Sequence, residues 1–348
     1  MKTKILQALR QDSQAYVSGQ QLCEQFGVSR TAVWKAIKQL QEAGYEIEAV
    51  RNRGYRLLAV PDILSQSEIA SQLHTRWLGK NICYFEEVDS TNTAAKRIAE
   101  DSGFANTAAK RIAEEGGSAD WHGTVVVAEE QTAGKGRRGR FWSSPRGTGL
   151  FFSILLKPQI EPGNASMLTL VKGMATVKGI AQVTGLNPQI KWPNDVVLNG
   201  KKIVGILTEM SAQVDYVNHI VVGTGINVHQ ADFPQEIAKT ATSLKLELQE
   251  AGRNVQLSRA ELLGAVLTYF ERYYEIYLQT QDLSALQEEY NSMLVNIGKG
   301  VRVLDPLGEY EGTALGIDNR GQLLVDRGKE ICEVSSGEVS VRGIYGYV

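Results

Sequence analysis

Gly134-Lys135-Gly136-Arg137-Arg138-Gly139-Arg140 can be read in two ways, and the choice decides the fold. Its glycines spell G-x-G-x-x-G, the dinucleotide fingerprint, which requires a strand before the motif and a helix opening at its end. The strand is there: Gly123-Thr-Val-Val-Val-Ala-Glu129 is apolar and β-branched. The helix is not, because Pro145, Gly147 and Gly149 interrupt the residues that follow. No G-x-x-x-x-G-K-[ST] occurs, which excludes a P-loop. The stretch is instead a glycine-rich loop carrying four cations. Glycine lets backbone approach a ligand closely, and arginine donates bidentately to phosphate or carboxylate. Such a loop suits a polyphosphate or an acidic metabolite.

Downstream the pattern is mixed α/β. Strands are expected at Leu150–Leu156, Gln189–Lys191, Lys202–Met210 and Tyr216–Thr224, with a helix over Ala165–Thr184. Ser258-Arg-Ala-Glu261 has the spacing of a capping box and opens a helix to about Leu278. After Gly298 five short runs follow: Val301–Leu304, Tyr310–Ile317, Gln322–Val325, Ile331–Val334 and Val339–Val341. Their spacing predicts a small β-barrel.

Upstream, residues 1–60 read as short helices and a hairpin. Gly19–Gly27 is a helix ended by glycine, and Ser29 caps a second that runs to about Ala43. Val33, Ala36, Ile37 and Leu40 share one face of that second helix, while Thr31, Trp34, Lys35 and Lys38 share the other. With Arg30 at its start, the polar face fits a recognition helix in a major groove. Tyr45–Val50 and Tyr55–Ala59 alternate around Asn52-Arg53-Gly54, and Arg51 and Arg53 stand at the tip. Helix, turn, helix and basic wing occur in the order of a winged helix-turn-helix, although a small packing domain with a solvated charged face has the same elements. Val60-Pro61-Asp62 marks the boundary. Ser65 and Glu68 then have capping-box spacing, and Ile82–Val88 begins the central domain as a strand.

A tandem repeat interrupts the chain just beyond. Asn92-Thr-Ala-Ala-Lys-Arg-Ile-Ala-Glu-Asp-Ser-Gly-Phe-Ala105 is followed at once by a second copy over 106–119. Two copies make no solenoid. In the first, Ala95, Ile98 and Ala99 would face inward and Lys96 and Arg97 outward. We read the duplication as a local insertion, broken near Gly103.

Composition adds limits. The formal net charge is -2, but residues 1–60 hold nine lysines and arginines against five acidic residues. That end is therefore about +4, with about -6 on the remainder, so one end alone is expected to meet nucleic acid. Cys23, Cys83 and Cys332 are odd in number and widely spaced, and His74, His122, His219 and His229 show no ligand spacing with them. Neither a disulfide framework nor a protein metal site is expected. No signal peptide or membrane-length apolar run is seen, so the expected location is cytoplasmic, with no membrane partner.

Five motifs in order carry a resemblance: Ser90-Thr91-Asn92, Gln131-Thr-Ala-Gly-Lys-Gly-Arg-Arg-Gly-Arg140, Lys191-Trp-Pro-Asn-Asp195, Lys202-Ile-Val-Gly-Ile-Leu-Thr-Glu209 and Gly223-Thr-Gly-Ile-Asn-Val228. Together they make the chain resemble biotin protein ligases over essentially its whole length. The winged helix makes it similar to the bifunctional form, biotin–[acetyl-CoA carboxylase] ligase and biotin operon repressor. The resemblance implies an α+β multidomain chain. Residues 1–62 would be the winged helix-turn-helix, 63–295 a mixed α/β ligase domain with a class II synthetase-like sheet, and 296–348 an SH3-like β-barrel.

It also implies roles. Ser90, Thr91, Asn92 and Gln131 would contact biotin, mainly at its ureido ring, and Gly223 and Gly225 would line that pocket. Lys135, Gly136 and Arg137 would close over the biotin carboxylate and the nucleotide phosphates. Lys191 would bridge carboxylate and α-phosphate, making Lys191, Arg137 and Lys135 the catalytic cations. Trp142 would pack on adenine and Asn227 would hydrogen-bond it, with Arg140 and Arg342 near the phosphates. Ser29, Arg30, Thr31, Trp34, Lys35, Lys38, Arg51 and Arg53 would meet DNA. Lys135 stands where arginine is common in the family, which keeps the charge and loses the fork. Asn106 repeats Asn92, but only Asn92 follows Ser-Thr.

The chemistry implied is attack of the biotin carboxylate on the α-phosphorus of ATP, with Mg²⁺ accompanying the polyphosphate. Two anions must be brought together, so catalysis is positioning and charge compensation. Transfer to a lysine of a biotin carboxyl carrier protein domain follows. Biotinyl-adenylate would promote a homodimer that binds operator DNA. Two other readings use the same residues: a non-enzymatic metabolite-sensing repressor, and a lipoate-type ligase on a related fold.

Overall fold

The computed structural model describes all residues except 12–14, 60–61, 63, 101–120, 254, 306–307, 337–339 and 344–346. The second repeat copy and the expected break at Gly103 lie outside the described residues. The chain divides into two compact units, Met1–Leu73 with Ser258–Gly264, and His74–Leu257 with Ala265–Val348.

The first unit holds α1 (Lys2–Gln11), α2 (Gly19–Phe26), α3 (Arg30–Glu42), the hairpin β1 (Glu46–Val50) and β2 (Gly54–Ala59), and α4 (Gln66–Gln72). Ser18 and Gln21 form a reciprocal capping box on α2, and Gly27 closes that helix in the left-handed region at φ 63°. Ser29 caps α3 by accepting from the Ala32 N–H at 3.2 Å. Val33, Ala36, Ile37 and Leu40 are all buried against Ile5, Leu9, Leu22 and Leu57, so the spacing of three and four does mark the inner face. At α4 Ser65 accepts from the Glu68 N–H at 3.1 Å, which is only half of the expected box. The Glu68 side chain is buried and its carboxylate takes Arg10 and the Tyr45 hydroxyl instead. A charge-assisted contact outcompetes one bond to a backbone N–H.

The second unit is built on a seven-stranded sheet. Its strands are β3 (Ile82–Phe85), β4 (Thr124–Ala128), β5 (Gly149–Leu156), β6 (Gln189–Lys191), β7 (Asp195–Leu198), β8 (Lys201–Ala212) and β9 (Val217–Asn227). They lie in the order β3-β4-β5-β9-β8-β7-β6. Only β3 and β4 are parallel, joined by a crossover that contains α5 (Thr91–Glu100); the other pairs are antiparallel. β5 is buried at every position, which requires cover on both faces. Successive side chains show what supplies it. Phe152 meets Lys172 of α6 (Met167–Thr184), whereas Ser153 meets Thr91 and Asn92 of α5.

Three further helices complete the set: α7 (Leu244–Glu250), α8 (Arg259–Thr280) and α9 (Gln287–Met293). On α5, Ala95 and Ile98 are buried and Arg97 is exposed, as its amphipathic spacing requires, whereas Ala99 is half-buried and so is Lys96, which donates to Glu209 Oε1 at 2.6 Å. The final strands β10 (Gly300–Leu304), β11 (Tyr310–Ile317), β12 (Leu323–Asp326), β13 (Ile331–Val334) and β14 (Ser340–Gly343) form an antiparallel SH3-like sheet in the order β13-β12-β11-β10-β14. Among the described residues no helix is long and apolar enough to cross a membrane.

Candidate active site

Sheet register creates the site. Ser153, Gly223 and Leu207 are cross-strand partners, and so are Phe151, Gly225 and Gly205 one step along the same face. Three positions in this double row lack a side chain, which leaves a trough in the sheet beneath α5. A Cβ on Gly223 would lie 2.0 Å from the Asn92 Oδ1, and one on Gly225 would lie 2.5 Å from the Trp142 Nε1. Asn92 and Trp142 therefore rest directly on strand backbone.

Polar groups converge on this trough. The Ser153 hydroxyl donates to Asn92 Oδ1 at 2.6 Å, and its oxygen lies 2.8 Å from Thr91 Oγ1. The Asn92 amide donates to Glu209 Oε2 at 2.8 Å and to the Leu207 carbonyl at 3.2 Å. The Thr91 N–H and hydroxyl donate to Gln131 Oε1 at 2.9 and 3.1 Å, and the Gln131 amide donates to Ser144 at 2.8 Å. Every member is pinned by another, so the hydrogen-bonding face is set before any ligand arrives.

The basic loop runs along one side. Arg137–Gly139 makes a single 3-10 turn with no α-helix after it, and Arg138 sits in the left-handed region at φ 57°. A non-glycine residue there stores strain of about 1–3 kcal/mol, a common feature of functional loops. Lys135 Nζ donates to Thr93 Oγ1 at 3.0 Å. Arg137 donates to Asn194 Oδ1 at 3.0 Å and to the Ser336 carbonyl at 2.7 Å.

Ser90, Thr91, Asn92, Gln131, Lys135, Gly136, Arg137, Trp142, Gly223 and Gly225 are thus brought to one cavity of about 50 Å³. Lys191, Asn227, Arg140 and Arg342 do not line it. Asn227 is buried beside it and donates to the Thr242 carbonyl at 3.0 Å. Arg140 and Arg342 are exposed. Lys191 is only 7% exposed and belongs to a neighbouring cluster with Asp195, Lys202 and Tyr347. Burial lowers its ammonium to about 8 despite the attraction of Asp195. A wider groove of about 660 Å³ lies on the far side of Arg137 and Asn194, toward Arg320 and Ser336.

Sequence reasoning missed several participants. Asn194 and Lys202 sat inside quoted motifs without a role. Ser153 had one signal, a lone hydroxyl in a fully apolar strand. Gly205 gains its place only through register with Gly225, and Tyr347 had no signal at all. Among the described residues no cluster of His, Cys, Asp or Glu could hold a metal.

The first unit carries the other surface. Thr31, Trp34, Lys35 and Lys38 of α3 are exposed on the face opposite its core, as are Arg51 and Arg53 of the hairpin turn. Lys38 Nζ lies 5.5 Å from the Trp34 ring and Arg30 donates to Gln20 at 2.9 Å. A cavity of about 480 Å³ separates Gln20 and Arg30 from Arg51 and Arg53. The Ser29 hydroxyl is engaged as the helix cap.

Residues 106–227 match the Biotin/lipoate A/B protein ligase family, 2–56 an HTH domain and 297–342 the Biotin protein ligase C terminal domain. The bifunctional ligase/repressor BirA of Bacillus subtilis (strain 168) is 38% identical over 343 residues, 98% of each chain. The chain belongs to the biotin protein ligase family. This ligase is also 30% identical to the bifunctional ligase/repressor BirA of Escherichia coli (strain K12), over 93% of its own length and 92% of that chain. Its structure resembles the biotin protein ligase from Aquifex aeolicus solved with biotin and ATP, with a TM-score of 0.61 and 31% identity; 76% of the ligase and 99% of that chain are covered. The family match begins at Asn106, within the second repeat copy, whereas it is Asn92 of the first copy that rests on Gly223 in the ligase.

Proposed function

We propose that the trough beneath α5 takes biotin and that the cations beside it bring the biotin carboxylate against ATP. The chain is an ATP-dependent biotin ligase and a biotin-responsive repressor. It forms biotinyl-5'-AMP and passes biotin to a lysine of a biotin carboxyl carrier protein. The observation that carries the site assignment is the glycine row at 205, 223 and 225, roofed by Asn92 and Trp142 and flanked by Arg137.

In the first step a carboxylate oxygen attacks the α-phosphorus and pyrophosphate leaves. Ser90, Thr91, Asn92 and Gln131 orient the ureido ring. Lys135, Gly136, Arg137 and Lys191 offset the negative charge that accumulates as the two anions meet. Trp142 and Asn227 serve adenine, and Arg140 and Arg342 the outer phosphates. The one carboxylate in the Lys191 cluster, Asp195, is already held by Lys202 at 2.6 Å and by Tyr347. Mg²⁺ therefore enters as part of the nucleotide substrate, keeping waters, rather than in a protein cage. In the second step a carrier lysine amine attacks the acyl carbon, AMP leaves and an amide forms.

The three functional segments are 1–62 for operator DNA, 63–295 for biotin and ATP, and 296–348 as the SH3-like domain. Arg30, Thr31, Trp34, Lys35 and Lys38 enter the major groove, and Arg51 and Arg53 reach phosphates from the wing. The carrier is the biotin carboxyl carrier domain of acetyl-CoA carboxylase, and the repressing species is a homodimer on two half-sites. Incubation with biotin, Mg-ATP and that domain should yield labelled carrier, AMP and pyrophosphate in equal amounts. ATP cleavage that does not depend on biotin would refute this reading.

A further inference from the structure

Lys191 and Asp195 are direct cross-strand partners in the β6–β7 pair. Opposite charges at such positions ordinarily join. Here no carboxylate among the described residues touches the Lys191 ammonium. Both oxygens of Asp195 are engaged elsewhere: Oδ1 by Lys202 Nζ at 2.6 Å, and Oδ2 by the Tyr347 hydroxyl at 2.5 Å. The Lys191 Nζ lies instead 4.3 Å from the centroid of the Tyr347 ring. An aromatic face attracts a cation without cancelling its charge.

We infer that Tyr347 is a positioning residue of the ligase reaction: its ring seats the Lys191 ammonium, and its hydroxyl keeps Asp195 from neutralising it. This rests on the reading of Lys191 given above. The surroundings agree with that purpose. Lys191 faces Asp195 from β7, Lys202 from β8, Arg342 from β14 and Arg137 from the basic loop, and Tyr347 also faces Arg140. Among these described residues one carboxylate stands among five cations, so the cluster is net positive and complementary to a polyphosphate. Neutralising its most buried lysine would forfeit the interaction that strengthens most as the anions meet. Burial holds that ammonium at about 8, so its charge is lost as pH rises through that value.

The test is biotin-dependent ATP–pyrophosphate exchange measured against pH. In Tyr347→Phe the ring and the burial remain, but Asp195 Oδ2 is released toward Lys191. A closer carboxylate favours the ammonium, so the alkaline limb should move up by about one pH unit. Exchange below pH 7 should fall about fivefold, because the charge is now shared, with the KM for biotin unchanged. In Tyr347→Ala the seat is lost as well, and kcat/KM for ATP should fall about tenfold or more below that of the phenylalanine variant. A merely structural tyrosine would change thermal stability and leave the limb in place.

A Tyr347→Phe profile that superimposes on the parent overturns the inference. So does a Tyr347→Ala protein that binds ATP more tightly, since the ring would then be a competitor for the nucleotide. Should the alanine variant not fold, the phenylalanine variant, which lacks one oxygen only, carries the test. Lys191→Met separates the two readings. Full exchange in that variant removes the role of Lys191 itself, whereas its inactivity beside an unmoved Tyr347→Phe limb removes only the role of Tyr347.

Discussion

The cations of the winged helix and those of the catalytic unit differ in one respect that sets what each can do. Lys35, Lys38, Arg51 and Arg53 stand in water, whereas Lys191 is buried and Lys202 half-buried beside the buried carboxylate of Asp195. An exposed cation acts through released counterions, so its contribution fades with salt. A buried one acts at short range in a medium that screens poorly, so its position matters more than its number. The first arrangement suits a long, regular polyanion such as DNA, and the second a single reacting phosphate.

The sharpest way to break the comparison is Lys191→Ala. Adenylate formation should fall about a thousandfold, while operator binding by the ligand-free protein is unchanged in a mobility-shift titration. Next is Gly223→Ala, whose Cβ would lie 2.0 Å from the Asn92 Oδ1. Either Asn92 leaves or the strands part, and biotin affinity by calorimetry should drop about tenfold or more. Third is the pair Arg51→Ala and Arg53→Ala. Each lost phosphate contact should reduce the slope of log affinity against log salt by about 0.9, with carrier labelling untouched.

Lys172 sharpens the comparison from the other side. It is fully buried, its Nζ lies 4.2 Å from the Phe152 centroid, and among the described residues no hydrogen-bond acceptor reaches it. Burial holds it well below the ordinary lysine value of 10.5, so the folded chain gives up this proton more readily than the unfolded chain. The unfolded state then binds the extra proton, and stability is lost as pH falls from 10.5. Lys172→Met should remove this dependence and stabilise the fold by on the order of 1–2 kcal/mol at neutral pH. The gain in thermal unfolding temperature should shrink toward pH 10. The smallest effect expected is that of deleting 106–119, which should leave the labelling rate within about twofold, since long connections tolerate length changes.

What the sequence made legible was mostly local. The buried stripe of α3, its serine cap and the refusal of a helix after Gly139 all follow from residues within a few positions of one another. The catalytic motifs were legible as words, and most of their members do meet at one cavity. What stayed hidden depends on pairing between distant strands. Gly205 matters because it lies opposite Gly225, and Ser153 because it lies opposite Gly223. Tyr347 meets Asp195 only because β14 pairs with β10, which brings the end of the described chain onto β7. Glu68 misled for the same reason, since its carboxylate answers to Arg10 and Tyr45 rather than to its own helix.

The parallel pairing of β3 with β4 has a consequence for how this gene can vary. Both copies of the repeat fall between those two strands, where extra chain alters neither strand's partner nor its phase. A direct duplication is prone to gain or lose a unit when DNA is copied, and in this place either event leaves the reading of every other strand intact. The same fourteen-residue slip inside β8 or β9 would instead break the pairing that sets Gly205 opposite Gly225 and Leu207 opposite Gly223.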